Sequence, residues 1–400
     1  MNHKNQKIMK IKLLIFSGAA ALVVSAATLL LIQSCSKNES REATVPNLNS
    51  KKQVFAADTG VADPTLTNWF KRNSNSLGSI AYDQAFSVPL SSGKVYWLFG
   101  DTFYDDLDAT DSVPCYTSTT GPAFNYHNSV LSQPSITNFT QSSTTNLTYD
   151  TSPQIYTALG KDYYWPGTGV EIGTSIYTYL THLDSAGDVV GGTLGVLNES
   201  NNTVSYSTTL PSLNGISFDA GMFKIGTTVY VYGYKTTGTY GNSDMYVAQF
   251  STSSPGTWTF WNGSTWVSSA SSAAIIATTT SNAVSVSYIP AKSKYVMVYC
   301  AWNFGCGTDD GIYGMSATSP YGPFSSTPTK LYDIPDRIHG EIPYFYTPMI
   351  HPEFDSSTAF ELTYCINYAA DCRPSCYDSK ATPDSYRPRA IKVPFTALSL

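Results

Sequence analysis

Two aspartates in the first third of the chain, Asp83 and Asp101, are spaced so that one β-hairpin would carry both to the same place. Residues 82–90 form an extended run, Ser91-Ser92-Gly93-Lys94 a turn, and residues 95–101 a return. With the turn centred on Ser92-Gly93, residues whose numbers add to about 184 face one another, and these two acids meet that register. Directly opposed residues hold Cβ atoms about 4.5–5.5 Å apart on one face. Like charges at that distance raise one pKa and leave a proton donor beside an ionised partner. Glycoside hydrolysis requires that asymmetry, and carboxyls about 5–5.5 Å apart belong to retaining enzymes. A single bulge would remove the stereochemical inference. In the bland alternative Asp101 caps a turn in Gly100-Asp101-Thr102 and Asp83 solvates a loop.

The same register places Tyr164 and Trp165 near the Asp83 position in a second hairpin, and Asp219 near it in a third. His182 corresponds to Asp101, while Asn282 and His351 enter from a fourth and a fifth. Glu171 is a second acid on an inner strand, and Asn128, after Tyr126-His127, would offer an amide to the mouth. Asn128, Tyr164, Trp165, Glu171, Asp219, Asn282 and His351 are the expected substrate-binding residues. Trp165 and His351 would also suit a core, and Asp219 a strand-entry turn. Glu341, Glu353 and Arg337-Ile338-His339 are weaker candidates. No nucleophile elbow, P-loop, dinucleotide fingerprint or HExxH occurs.

The elements that must position these groups come from an internal repeat. Five segments share an extended run, a short turn and a second run rich in Tyr, Val and Phe: residues 82–101, 165–180, 218–232, 283–299 and 346–365. Each is a hairpin by alternation and turn chemistry. A third apolar run follows each, at 128–132, 193–197, 245–250, 312–315 and 390–395, and weaker fourth strands follow the first four. Units of this size and strand count predict an all-β, five-bladed β-propeller, with a large β-sandwich as the alternative. No useful helical periodicity is read after the leader, and a strand near 54–57 is expected to complete the last blade.

The N-terminus reads as a targeting segment. Lys4, Lys7, Lys10 and Lys12 precede an apolar stretch, 13–32, which ends in Leu31-Ile32-Gln33-Ser34-Cys35. This resembles the lipobox of bacterial lipoproteins, with Cys35 as the lipidated residue; a retained membrane anchor is the alternative. The expected division is a signal peptide at 1–35, a flexible tether at 36–53 and one propeller domain at 54–400. Ser36-Lys37-Asn38-Glu39-Ser40 resembles the surface-export signal of Bacteroides-type lipoproteins. The expected location is therefore the outer membrane of a Gram-negative bacterium, held only by the N-terminal lipid, periplasmic or cell-surface facing.

Charged residues are 13% of the chain, with a formal net charge of -6 and no basic stripe, which excludes a nucleic-acid partner. Aromatic residues make up 14%, a composition suited to stacking on sugars. With Cys35 lipidated, Cys115, Cys300, Cys306, Cys365, Cys372 and Cys376 remain, and an exported location permits disulfides among them. The last three lack the paired spacing of a zinc site, so no metal and no cofactor is expected; a structural calcium ion is not readable from sequence. A monomer is expected.

Asp83 with Ser87-Val88-Pro89-Leu90, then Trp97-Leu98-Phe99-Gly100-Asp101-Thr102-Phe103, resembles the signature of the domain-of-unknown-function family 4185. Asn128-Ser129, Tyr164-Trp165-Pro166-Gly167, Val229-Tyr230-Val231-Tyr232-Gly233, Tyr321-Gly322-Pro323-Phe324 and His351-Pro352-Glu353 extend the likeness over about residues 75–370. The resemblance implies a five-bladed propeller. For members classed as glycoside hydrolase family 183 it implies endo-D-arabinanase activity, with Asp83 and Asp101 as catalytic acids. The functional expectation is a glycoside hydrolase cutting a polysaccharide. A non-catalytic, glycan-binding surface lipoprotein of the same fold is the alternative.

Overall fold

The structure, a computed structural model, describes residues 59–400 apart from 115–125, 150, 208–209, 238–240, 302–308, 338–341 and 368–379. Five antiparallel sheets form a five-bladed β-propeller. In blades one to four the first strand in sequence lies innermost and later strands step outward; in blade five the innermost strand is Tyr344–Ile350. The inner strands are Ser79–Pro89, Tyr163–Ile172, Ser217–Ile225, Val284–Ile289 and Tyr344–Ile350. Each touches the next, and the fifth touches the first, which closes the ring.

The second strands, Val95–Tyr104, Ser175–Leu183, Thr228–Thr236, Lys294–Cys300 and Ala359–Asn367, return through short turns. Blade three is wider than the others: beyond Thr259–Trp261 it adds Trp266–Val267, and Ala277–Thr279 pairs with its third strand. Blade five draws its outer strand from the other end of the chain. Val61–Ala62 pairs with Arg389–Pro394, so the closing strand lies a few residues after the expected 54–57, which falls outside the described residues.

Apolar side chains fill the wedges between neighbouring blades. Phe86, Leu98 and Val130 of blade one meet Ile176, Leu180 and Leu197 of blade two, and comparable clusters join the later pairs. Each fully buried side chain of this kind contributes about 1.5–3 kcal/mol. The wedge beside blade one also takes a short helix, Pro64–Phe70, that the sequence reading missed. Asp63 caps it by accepting from Thr65 N at 2.7 Å, Pro64 occupies the first turn, and Leu66, Trp69 and Phe70 pack onto Trp97 and Phe99.

Two buried arginines bind the ring closure. Arg72 donates from Nε to Ser79 O at 2.9 Å, and Arg387 donates to Ile80 O at 2.9 Å and to Arg72 O at 2.7 Å. Asp384 lies 2.7 Å from Arg387 Nη1 and supplies the countercharge. Of the six cysteines expected to be available for disulfides, Cys300 and Cys365 are free buried thiols; the other four lie outside the described residues.

Candidate active site

One end of the central channel opens into a cavity of about 520 Å³ to which all five blades contribute. Blade one supplies Asp83 and Asp101, blade two Tyr163 and Trp165, and blade three Asp219 and Tyr234. Asn282 precedes the inner strand of blade four, and Tyr344 and Tyr346 come from blade five. Tyr386, from the 3-10 turn Pro383–Tyr386, completes this wall.

The two acids reach the cavity through a pair of compensating bulges. Tyr82 pairs with Thr102 and Phe86 with Leu98, both in the expected register, but Gln84 pairs with Phe99. Asp83 therefore faces both Gly100 and Asp101, and Ala85 is the extra residue that restores the register. Bulges of this type re-aim side chains near functional sites. The backbone is strained here, with Gln84 at φ 62°. The direct cross-strand pairing is lost, and with it the inference of retention. The common destination of the two carboxyls is kept.

Glycine at 100 leaves room for the Asp83 carboxyl, because a Cβ there would meet Asp83 Oδ1. Gly167 does the same for Asp219, whose Cα would lie 2.9 Å from an added Cβ.

The environments of the acids differ. Burial, and then the neighbouring Asp101, push the Asp83 carboxyl well above the usual range, while the phenols of Tyr386 and Tyr346 pull the other way. Tyr346 donates to Asp83 Oδ2 at 3.3 Å, and Asp83 Oδ1 is buried without a hydrogen-bond partner. Asp101 is instead held by its neighbours: His127 Nδ1 lies 2.7 Å from Oδ1, and Trp165 Nε1 donates to the same oxygen at 3.0 Å. Across the cavity, Asp219 accepts from Thr181 Oγ1 at 3.1 Å, burial raises its pKa, and its Oδ1 has no partner.

Asp83, Asp101, Trp165, Asp219 and Asn282 thus line one cavity, and four other expected residues do not. Asn128 is fully buried and its amide bridges backbone: Nδ2 donates to Tyr156 O and Tyr164 O, and Oδ1 accepts from Ile155 N and Tyr156 N. The Tyr164 ring packs on His182 and Tyr206, and His182 pairs with Asp162 rather than entering the mouth. Glu171 lies at the other end of the channel, where its carboxylate accepts from Ser91 N and Oγ.

His351 is a core histidine, hydrogen-bonded to Ser87 Oγ at 2.6 Å and Thr363 Oγ1 at 2.8 Å. Burial pushes its pKa down to about 3, so it stays neutral. Among the weaker candidates, Arg337 is paired with Asp310, Glu353 lies away from the mouth, and residues 338–341 are outside the described set.

His127, Tyr163, Tyr234, Tyr344, Tyr346 and Tyr386 were not anticipated at the site. The His127 ring stacks on Tyr163 with centroids 3.7 Å apart, and Tyr344 stacks on Tyr346 at 4.9 Å. His127 adjoins the expected Asn128, so the right segment was in view, but alternation put the other residue inward.

Residues 63–395 match the family model described as Domain of unknown function (DUF5005). Among solved structures, a candidate hydrolase of Bacteroides ovatus ATCC 8483 is similar at 17% identity and a TM-score of 0.60, covering 84% of this chain and 90% of that one. The catalytic domain of a GH62 α-L-arabinofuranosidase from Coprinopsis cinerea follows at 11% identity and a TM-score of 0.44, covering 78% and 90%. An endo-arabinase from Bacteroides thetaiotaomicron VPI-5482 has 12% identity and a TM-score of 0.43, covering 79% and 95%. At 17% identity the first likeness bears on fold alone. No curated protein matches the chain. By the extent of the family match, this chain is a member of the DUF5005 family.

Proposed function

We propose that the protein is a glycoside hydrolase that cuts a polysaccharide at the mouth of the propeller. The observation that carries this reading is the unequal acid pair: Asp83 dry and raised in pKa, Asp101 anchored by His127 and Trp165. Asp83 would give its proton to the glycosidic oxygen as the bond breaks. Asp101, held in place by His127 and Trp165, would stabilise the oxocarbenium-like transition state or activate its acceptor. Asp219 would accept a sugar hydroxyl through its unpartnered Oδ1, and the surrounding aromatic rings would stack on sugar faces.

D-Arabinan, cut internally, is the substrate that the blade-one motif suggests. The anchoring we infer is lipid on Cys35 at a Gram-negative outer membrane; among the described residues no helix is long and apolar enough to cross a membrane.

The test is incubation of the full chain, in mild detergent, with a panel of plant and mycobacterial glycans, followed by chromatography of released fragments. Hydrolysis appears as new reducing ends, and fragment sizes separate internal from terminal cutting. Retention of a glycan without release of fragments would replace this reading with the non-catalytic glycan-binding one.

A further inference from the structure

A second cavity, of about 360 Å³, shares no lining residue with the mouth. It lies where the short helix, the loop after the third strand of blade one and the turn of the blade-five hairpin meet. Its walls carry four carboxylates, Asp63, Glu353, Asp355 and Glu361, against one lysine, Lys392. That lysine is committed: it pairs with Asp63 Oδ2 and lies 3.3 Å from Glu361 Oε2. Three carboxylate oxygens remain buried without a hydrogen-bond partner: Glu353 Oε1, Asp355 Oδ2 and Glu361 Oε1. Glu361 is only 2% exposed, so bulk water does not satisfy it. Buried acceptors left this way cost free energy and mark the place of a missing donor.

The rest of the wall is hydrocarbon. Leu66, Ile136, Phe139 and Phe354 face the same space, with the two phenyl rings 6.0 Å apart. Among the described residues no three acidic or imidazole groups are arranged to hold a metal ion, and the volume far exceeds that of a bare ion. A cation with an apolar body fits both halves of the lining.

We propose that this cavity binds an organic ammonium ion. The charged nitrogen would donate to Asp355 and Glu361, and the alkyl body would lie along the wall formed by Leu66, Ile136, Phe139 and Phe354. Burial pushes Glu353 and Asp355 up to about 7 and Glu361 up to about 8. Protons therefore compete with the ammonium below neutrality. The other charged groups facing the site are Asp63 beneath the helix and Lys392 on the strand that pairs with the closing strand; the blade-one loop contributes none.

The experiment is calorimetric titration of the full chain in detergent and phosphate buffer with putrescine at pH 6 and pH 8. The uncharged isostere 1,4-butanediol and, in phosphate-free buffer, calcium chloride serve as parallel probes. One saturable site for putrescine at pH 8, at least tenfold weaker at pH 6 and absent for butanediol, is expected. Glu361→Gln combined with Asp355→Asn should abolish it. Ile136→Lys, at a position 42% exposed, provides a variant that leaves the buried acids untouched and should block the site with its own ammonium. No saturable putrescine binding at pH 8, equal binding of butanediol, or affinity unchanged by Ile136→Lys would overturn the proposal. So would calcium binding in place of putrescine.

Discussion

Gly100→Ala should separate catalysis from stability. Gly100 has no positive φ, so alanine is tolerated by the backbone, and the loss of unfolded-state freedom stabilises by about 0.4–1 kcal/mol. The new methyl would meet Asp83 Oδ1 and, at 3.0 Å, the end of the Gln84 side chain. Both are terminal atoms that can swing away. Turning Asp83 off its rotamer costs about 0.5–1.5 kcal/mol, so the net change in stability should be near zero. The proton donor, however, moves by about 1 Å, and misplacement of that size costs on the order of 100-fold in rate. Initial rates of reducing-end release, read beside thermal melting, form the assay. A folded Gly100→Ala protein working within threefold of wild type would refute the placement of Asp83. An unfolded one would refute the claim that only side-chain ends must yield.

Other outcomes follow from the same structure. Glu353, Asp355 and Glu361 have folded-state pKa values raised to about 7, 7 and 8, so the stability linked to their protons is complete below the unfolded values near 4 and is lost as pH rises through 7 and 8. In amine-free buffer the melting temperature should fall by several degrees from pH 6 to pH 9, and Glu361→Gln should flatten that slope. Arg387→Met leaves Ile80 O and Arg72 O without their donor, and urea unfolding should show a loss of about 2–6 kcal/mol. His127→Ala removes one of the two groups on Asp101; kcat should drop about tenfold with little change in KM, and His127→Gln, which keeps a donor, should recover part of it.

The five hairpins were legible in the sequence because each inner strand is long enough for alternation to show and each turn carries small polar residues. Shorter elements were not. Pro64–Phe70 makes only two helical turns, too few for a period to emerge, although Asp63-Pro64 is a readable cap. Val61–Ala62 is a two-residue strand that takes its register from Lys392 and Ile391 and none from its own pattern.

The site divides in the same way. Asp83 and Asp101 could be brought together by counting, since the two bulges between them cancel. The inner strand of blade two is shifted between Pro166 and Gly169, and Tyr164 faces away from the channel while Trp165 faces in. Glu171 and His351 sit too far along their strands, and residue type alone does not tell which end of a channel a strand position occupies. Tyr386 comes from a 3-10 turn in the connection between the second and third strands of blade five, which has no counterpart among the described residues of the other blades, so the repeat gave it no signal.

The central claim is that Asp83 and Asp101 act as an unlike pair. Its most direct test is the turnover of Asp83→Asn and Asp101→Asn on whichever glycan the wild type cuts, with circular dichroism confirming the fold of each. Both variants should lose at least a hundredfold in kcat while still retaining the glycan. Either one turning over at the wild-type rate would contradict the account.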